Sequence, residues 1–306
     1  MDLSLVLIQG LNGLQLGVML FLMAAGLTLV FGVMDLINLA HGSLYMLGAY
    51  LTASLTGLFD SFLLGLLLAV PATALIGAAL EASVLRTLYA RPHLDQVLAT
   101  FGLILFFNEV VRIVWGPSAV FLSPPAWLAG QVTLLPGLTY PAIRLAIIVT
   151  GLVVALGLWL LISHTRLGMR IRAGASNRRV AMALGVDIQR LFTVVFALGA
   201  GLAALAGGLA GAILAVQVGM GEQILILTFV VIVIGGLGSI KGALIGALLV
   251  GVCDTMGRVL LPDLLEVLFR PSVADGVGGA LGSMVIYLLM AGVLVFRPRG
   301  LFGQQA

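Results

Sequence analysis

Nine apolar stretches follow one another along this chain, at about residues 5–33, 38–58, 62–85, 96–115, 142–162, 190–215, 223–236, 240–261 and 280–296. An α-helix needs about 20 apolar residues to cross the roughly 30 Å hydrocarbon core of a bilayer, and most of these runs reach that length. Of the 306 residues, 61% are hydrophobic and 9% are charged, and mean hydropathy is +1.23. A soluble domain averages about 25% charged residues. A chain of this length has no interior large enough to hide the excess apolar surface, so lipid must cover it. The expected fold is an all-α polytopic membrane protein of eight or nine transmembrane helices, in one membrane domain spanning 1–306. The 223–236 stretch is short for a full crossing. A half-helix is expected there, or one arm of a broken pair with 240–261.

Several function classes drop out on composition and motif. A single cysteine, Cys253, excludes an intrachain disulfide framework and a Cys-rich metal site. His41, His93 and His164 are far apart in sequence, so no metal centre is expected. There is no nucleophile elbow, no zinc helix motif and no clustered carboxylate dyad. No cofactor and no enzyme activity are expected. "GGLGSIKG" carries glycines and Lys241, but in the wrong spacing and order for a nucleotide-binding loop. The first residues lack the basic region of a cleavable signal, and the apolar run after them is too long for one.

The chain is basic, with a pI of about 9.4. The placement of its cations speaks for membrane topology rather than nucleic acid. Lys and Arg concentrate in cytoplasmic loops. With the loop 163–190, "SHTRLGMRIRAGASNRRVAMALGVDIQR", on that side, eleven of the 15 Lys and Arg residues fall inside. Nine crossings then put the N-terminus outside and the C-terminus in the cytoplasm. The outer loop 116–141 holds five prolines, which exclude a continuous helix. Trp127 and Tyr140 within it suit the membrane interface. A second outer loop is expected at about 262–279, with Pro262 and Pro271.

Polar groups inside spans are costly and face protein or water. "INLAHGSLYMLGAY" (37–50) places Asn38, His41, Gly42, Ser43 and Tyr45 in one apolar region. One reading is an interrupted helix with its break at Gly42, its irregular backbone lining a solute pathway. The other is a polar cluster that staples helices together. A second cluster is Asn108, Glu109 and Arg112, where Glu109 and Arg112 are three apart and able to pair. Glu81, about one turn from Arg86, marks the inner boundary of its span, Glu222 opens and caps the short stretch at 223–236, and Asp254 and Arg258 pair at four-residue spacing. So few intramembrane acids argue against a proton pump. Small residues recur every four positions, at Gly199, Ala203, Gly207 and Gly211 and again at Gly238, Gly242 and Gly246. Such stripes let neighbouring helices pack closely.

"RAGASNRRVAMALGVDIQRL" (172–191) is too polar for lipid and too short for a domain. Its alanines favour a short helix, capped by Ser176 or Asn177 and ended by Gly185. Val180 and Leu184, four apart, give it an apolar edge. Two partners fit such a helix: the anionic inner leaflet, or a groove on a cytoplasmic protein.

This stretch resembles the coupling loop of permease subunits of ATP-binding-cassette importers, on Ala173, Ala175, Asn177, Arg178, Ala181 and Gly185. "AAGLTLVFGVMDLINLAHGSLYMLGAYL" (24–51), "TRLGMRIRAGASNRRVAMALGVDIQRLFTVVFALGAGLAALAGGLAG" (165–211) and "VVIVIGGLGSIKGALIGALLVG" (230–251) together resemble the branched-chain amino acid importer permease family, in the shorter of its two paralogous types. The resemblance implies a heteromeric importer in a prokaryotic cytoplasmic membrane. A second, homologous permease subunit would complete the pathway. Two cytoplasmic ATPase subunits would hydrolyse ATP, and an extracytoplasmic binding protein would deliver the solute. That solute would be a branched-chain or related amino acid, or another small polar molecule. A stand-alone channel or secondary carrier is the alternative. It accounts for a broken helix but not for the Ala-rich basic loop.

Overall fold

The computed structural model describes residues 3–266 and 270–303. Its helices are α1 Leu3–Met34, α2 His41–Phe59, α3 Phe62–Ser83, α4 His93–Trp115, α5 Ala142–His164, α6 Arg166–Ser176, α7 Arg178–Ala183, α8 Ile188–Gly211, α9 Met220–Gly235, α10 Ile240–Leu265 and α11 Pro271–Phe296. Two short strands, β1 Gln131–Leu135 and β2 Leu138–Pro141, form an antiparallel hairpin. All nine expected apolar stretches are helical. Seven of these helices are long and apolar enough to cross a membrane. The other two are α2, which carries His, Ser, Thr and Tyr, and α9, which has 16 residues.

α1 is apolar on every side, and a helix of that kind belongs in the interior. Its 32 residues make it roughly 48 Å long, and its stretch from Val18 to Ala25 is wholly buried. α8, α10, α5 and α9 pack around it. α1 and α10 run antiparallel along glycines. A Cβ added to Gly13 would stand 2.7 Å from the Val252 Cα, and one on Gly17 would stand 2.9 Å from the Ala247 carbonyl oxygen. Without a hydrophobic drive between helices in lipid, such close backbone contact supplies the dispersion energy of association.

The first small-residue stripe packs as its spacing suggests. A Cβ on Gly199 would meet the Gly26 carbonyl of α1 at 3.1 Å, and one on Gly207 would overlap the Tyr45 carbonyl of α2. Gly211 lies under Leu122 of the outer loop, 2.6 Å from a built Cβ. The second stripe needs correction. Gly242 and Gly246 face Gly235 and Val231 of α9. Gly238 is not on that helix face: it sits in the turn before α10, with φ +80°, against Gly32 of α1.

Two further expectations are corrected. The loop expected at 262–279 is shorter, because α10 continues through Pro262 to Leu265 and α11 starts at Pro271. Pro suits the first turn of a helix, whose N–H groups have no intrahelical partner. Residues 267–269 within that loop lie outside the described residues. Tyr140, expected at the interface, is 1% exposed and donates to the Asn12 Oδ1 at 3.0 Å, while Trp127 is exposed. The hairpin that holds Tyr140 turns at Pro136–Gly137, where Gly137 has φ +85°. The same outer loop is tied to the 212–219 segment by paired backbone hydrogen bonds between Val120 and Val216, both 2.8 Å.

α6, the start of α10 and the C-terminal tail share one face, here the arginine-rich face. The tail closes the end of α9. Leu301 N donates to the Ile234 carbonyl at 2.8 Å and Phe302 N to the Gly235 carbonyl at 3.0 Å, satisfying groups that a helix end leaves open.

Candidate functional site

The break near the polar patch lies before Gly42, not at it. Residues 35–40 are non-helical, with Asp35 at φ +50°, and α2 starts at His41. The His41 ring reaches Gly26 of α1, where a Cβ would come within 2.9 Å of Nε2. Gly26 is eight residues short of the end of α1, so α2 begins about 12 Å inward of that end. Gln96 of α4 holds the 35–40 link. Its Oε1 accepts from Ile37 N at 3.3 Å, and its Nε2 donates to the Leu88 and Arg91 carbonyls.

The structure brings the five patch residues together at the start of α2, all buried, with Asn38 and His41 at 0% exposure. α9 starts in the same place. A Cβ on Gly42 or on Gly221 would overlap the other's carbonyl oxygen. Two helix N-termini, each a partial positive charge, therefore meet inside the protein. Around them the Asn38 amide, both His41 ring nitrogens and the Ser43 hydroxyl make no hydrogen bond of normal geometry to protein. Buried polar groups are almost always paired, so these four side-chain groups in one seam stand out. Glu222, in the first turn of α9, accepts from Asn108 Nδ2 at 2.6 Å on Oε1 and leaves Oε2 unpaired.

The Asn108 cluster separates accordingly. Asn108 turns inward to Glu222, while Glu109 and Arg112 form an exposed pair at 2.8 Å. Asp254 and Arg258 pair at 2.9 Å as their spacing suggests. Glu81 does more than mark a boundary. Its buried carboxylate accepts from Arg86 at 3.1 Å, from Tyr89 Oη at 2.6 Å and from Thr193 Oγ1 at 2.6 Å. Burial, with this carboxylate beside it, pushes the Tyr89 phenol well above its ordinary range, so it remains a donor. Tyr89 stacks edge-on to Phe192 at 5.2 Å, and Arg178 lies over the other partner of that ring pair, 5.4 Å from the Phe192 centroid. One chain of contacts thus runs from α3 through α8 to α7.

The polar loop holds two helices where one was expected, divided at Asn177. α6 carries Ala173 and Ala175, and α7 is the short capped helix. Asn177 Oδ1 accepts from Val180 N at 3.1 Å. At the other end Gly185, at φ +84°, closes a Schellman motif: Gly185 N donates to Met182 O and Val186 N to Ala181 O. Of the six residues singled out, Ala175, Asn177 and Gly185 are exposed, Ala173 and Arg178 are half-buried, and Ala181 is 2% exposed. Ala181 therefore seats α7 on the protein and presents nothing outward. The outward apolar surface is Val180 (53% exposed), Met182 (52%) and Leu184 (79%). Met182 escapes an i, i+4 reading of the sequence, since it lies two positions from each neighbour.

Comparison with known proteins gives one direction. The family model described as "Branched-chain amino acid transport system / permease component" matches residues 10–294. The high-affinity branched-chain amino acid transport system permease protein BraD of Pseudomonas aeruginosa is 32% identical over 311 residues, covering 97% of this chain and 95% of BraD. The permease protein LivH of Salmonella typhimurium, from a system of the same description, is 29% identical and is matched over 94% of each chain. The ribose import permease protein RbsC of Escherichia coli is 30% identical over 239 residues, 75% of this chain and 71% of RbsC. No solved structure matches. With the family model matching from residue 10 to residue 294 and BraD aligning along nearly the whole length, the chain belongs to the branched-chain amino acid transport system permease family.

Proposed function

We propose that this chain is a permease subunit of an ATP-binding-cassette importer for branched-chain or related amino acids. In this reading a homologous permease completes the pathway, and an extracytoplasmic binding protein delivers the solute. ATP is hydrolysed by two cytoplasmic subunits that dock on the α6–α7 segment. The observation that carries the reading is the edge of α7. Val180 and Leu184, one turn apart, project from a helix capped at both ends, 53% and 79% exposed among the described residues, with Met182 exposed on the opposite flank. A helix that presents an apolar edge fits a groove on a partner protein. In this reading the arginine-rich face is cytoplasmic, with the C-terminus there and the N-terminus outside, and the arginine density supports that orientation. The test is co-expression and purification of the tagged chain with an importer ATPase from the same organism, then solute-stimulated ATP hydrolysis in proteoliposomes. Uptake that persists after removal of the ATPase replaces this reading with that of a stand-alone carrier.

The solute pathway in this proposal passes the seam where α2 and α9 begin. Half-helix N-termini suit an anionic group such as an amino acid carboxylate. The free Glu222 Oε2 suits an ammonium. Asn38, His41 and Ser43 supply the remaining polar contacts, with Gly42 and Tyr45 shaping the seam. Uptake by Asn38→Ala and His41→Ala is expected to fall at equal membrane abundance. Normal transport by both variants assigns these residues to helix packing instead.

A further inference from the structure

A cavity of about 610 Å³ opens at the arginine-rich face between α1, α5, α6 and the start of α10. Its walls are apolar: Phe21 and Leu29 of α1, Leu158 and Trp159 of α5, and Leu244 of α10. Its lining also carries two cations, Arg172 of α6, whose Nη1 donates to the Ile162 carbonyl, and Lys241 of α10. Ser239 also lines it, where it caps α10 and accepts from Gly242 N at 3.0 Å. The partly positive start of α10 therefore adds to the two cations. Among the described residues no carboxylate lines the cavity, and neither Arg172 nor Lys241 forms a salt bridge.

One polar group is set into the apolar wall. Thr28 is 1% exposed, lines the cavity, and its hydroxyl has no hydrogen-bond partner.

We infer that this cavity holds an anionic phospholipid. Its acyl chain lies along Leu29, Leu158, Trp159 and Leu244. Its phosphate sits by Arg172 and Lys241 at the start of α10. Charge selects this occupant. Two cations without an acid offer nothing to the ammonium of an amino acid, so the cavity is not a solute site. A second copy of the chain would bring its own apolar surface but no counter-charge for these cations. Basic pockets between transmembrane helices are a known setting for anionic headgroups. This inference needs only that the chain lies in a membrane, and it stands apart from the docking of an ATPase.

Trp159 in the wall provides the probe. The chain has three tryptophans, so Trp115→Phe with Trp127→Phe leaves Trp159 as the only fluorophore. This full-length variant is placed in phosphatidylcholine vesicles containing either brominated phosphatidylglycerol or brominated phosphatidylcholine at equal mole fraction. Each Lys or Arg near the surface favours an anionic lipid about fivefold, so with two of them half-quenching should need roughly 25-fold less of the anionic quencher. Adding Arg172→Gln and Lys241→Gln should bring the two quenchers together, and so should high salt without those changes. Native mass spectrometry of the unaltered chain, released from mixed vesicles, should read one retained phosphatidylglycerol. Equal quenching by both lipids overturns the inference. So does absence of quenching by either, the result expected of a cavity covered by a second subunit, and so does release without retained anionic lipid.

Discussion

Leu184→Asp separates docking from folding. Leu184 is 79% exposed among the described residues and is the C-cap of α7. Surface changes of this kind alter stability by about 0.5 kcal/mol or less. Docking is another matter. A well-seated apolar anchor at the centre of an interface contributes about 2 kcal/mol, so Leu184→Ala should weaken ATPase binding about 30-fold. Leu184→Asp adds the cost of burying a charge in an apolar groove, several kcal/mol more, and should abolish binding at micromolar ATPase. The assay titrates purified ATPase against the tagged permease in detergent, with thermal melting of the permease followed in parallel. The expected pattern is graded loss of affinity from wild type through Ala to Asp, with melting temperatures unchanged within about 3 °C. Wild-type affinity in Leu184→Asp refutes the assignment of this edge to the ATPase. A large drop in melting temperature refutes the claim that the edge is free.

Three other outcomes follow from the same structure. Asn177→Ala removes the cap of α7 and should cost about 1 kcal/mol locally, read as roughly fivefold faster amide exchange in α7 with the rest unchanged. Glu81→Ala leaves Arg86, Tyr89 and Thr193 without their shared acceptor and should destabilise the protein by about 3 kcal/mol or more, seen as a lowered melting temperature. Glu81→Gln, which keeps an acceptor oxygen, should lose less. Gly207→Leu drives a side chain into the Tyr45 carbonyl and should sharply reduce folded protein in the membrane, whereas Gly157→Leu, where a Cβ meets nothing within 4 Å, should express normally. Similar yields of the two glycine variants would contradict the packing of α8 on α2.

Local physics was legible and long-range pairing was not. Nine helices could be read because each apolar run has its own length and composition. The cap at Asn177 and the stop at Gly185 could be read because both depend on bonds within a few residues. Gly42 was legible as a special position, but its reason is a partner 179 positions away, Gly221, and the break it suggested belongs to 35–40. Glu81 shows the same limit. Glu81 and Arg86 read in the sequence as a boundary mark and not as a pair, and the bond to Thr193 spans 112 residues and has no periodic trace. Tyr140 misled because an aromatic in a proline-rich outer loop suits the interface equally well. Its burial depends on a hairpin that turns at Pro136–Gly137 and on a partner, Asn12, 128 positions away. Val180 and Leu184 marked the edge of α7, but only the seating of Ala181 decides which side of the helix faces away from the protein.

The hydrogen bonds from Leu301 and Phe302 to the end of α9 have a mechanical consequence. At its other end α9 abuts α2, Gly221 on Gly42, with no side chain between the backbones. A rod clamped at both ends cannot slide along its own axis without breaking one clamp. It can tilt about the glycine contact, because two smooth backbones offer a pivot, and both the tail and the start of α10, which packs on Gly235, must travel with the swinging end. Motion at the arginine-rich face would then be geared to motion deep in the protein by a lever of about 24 Å, the length of 16 helical residues.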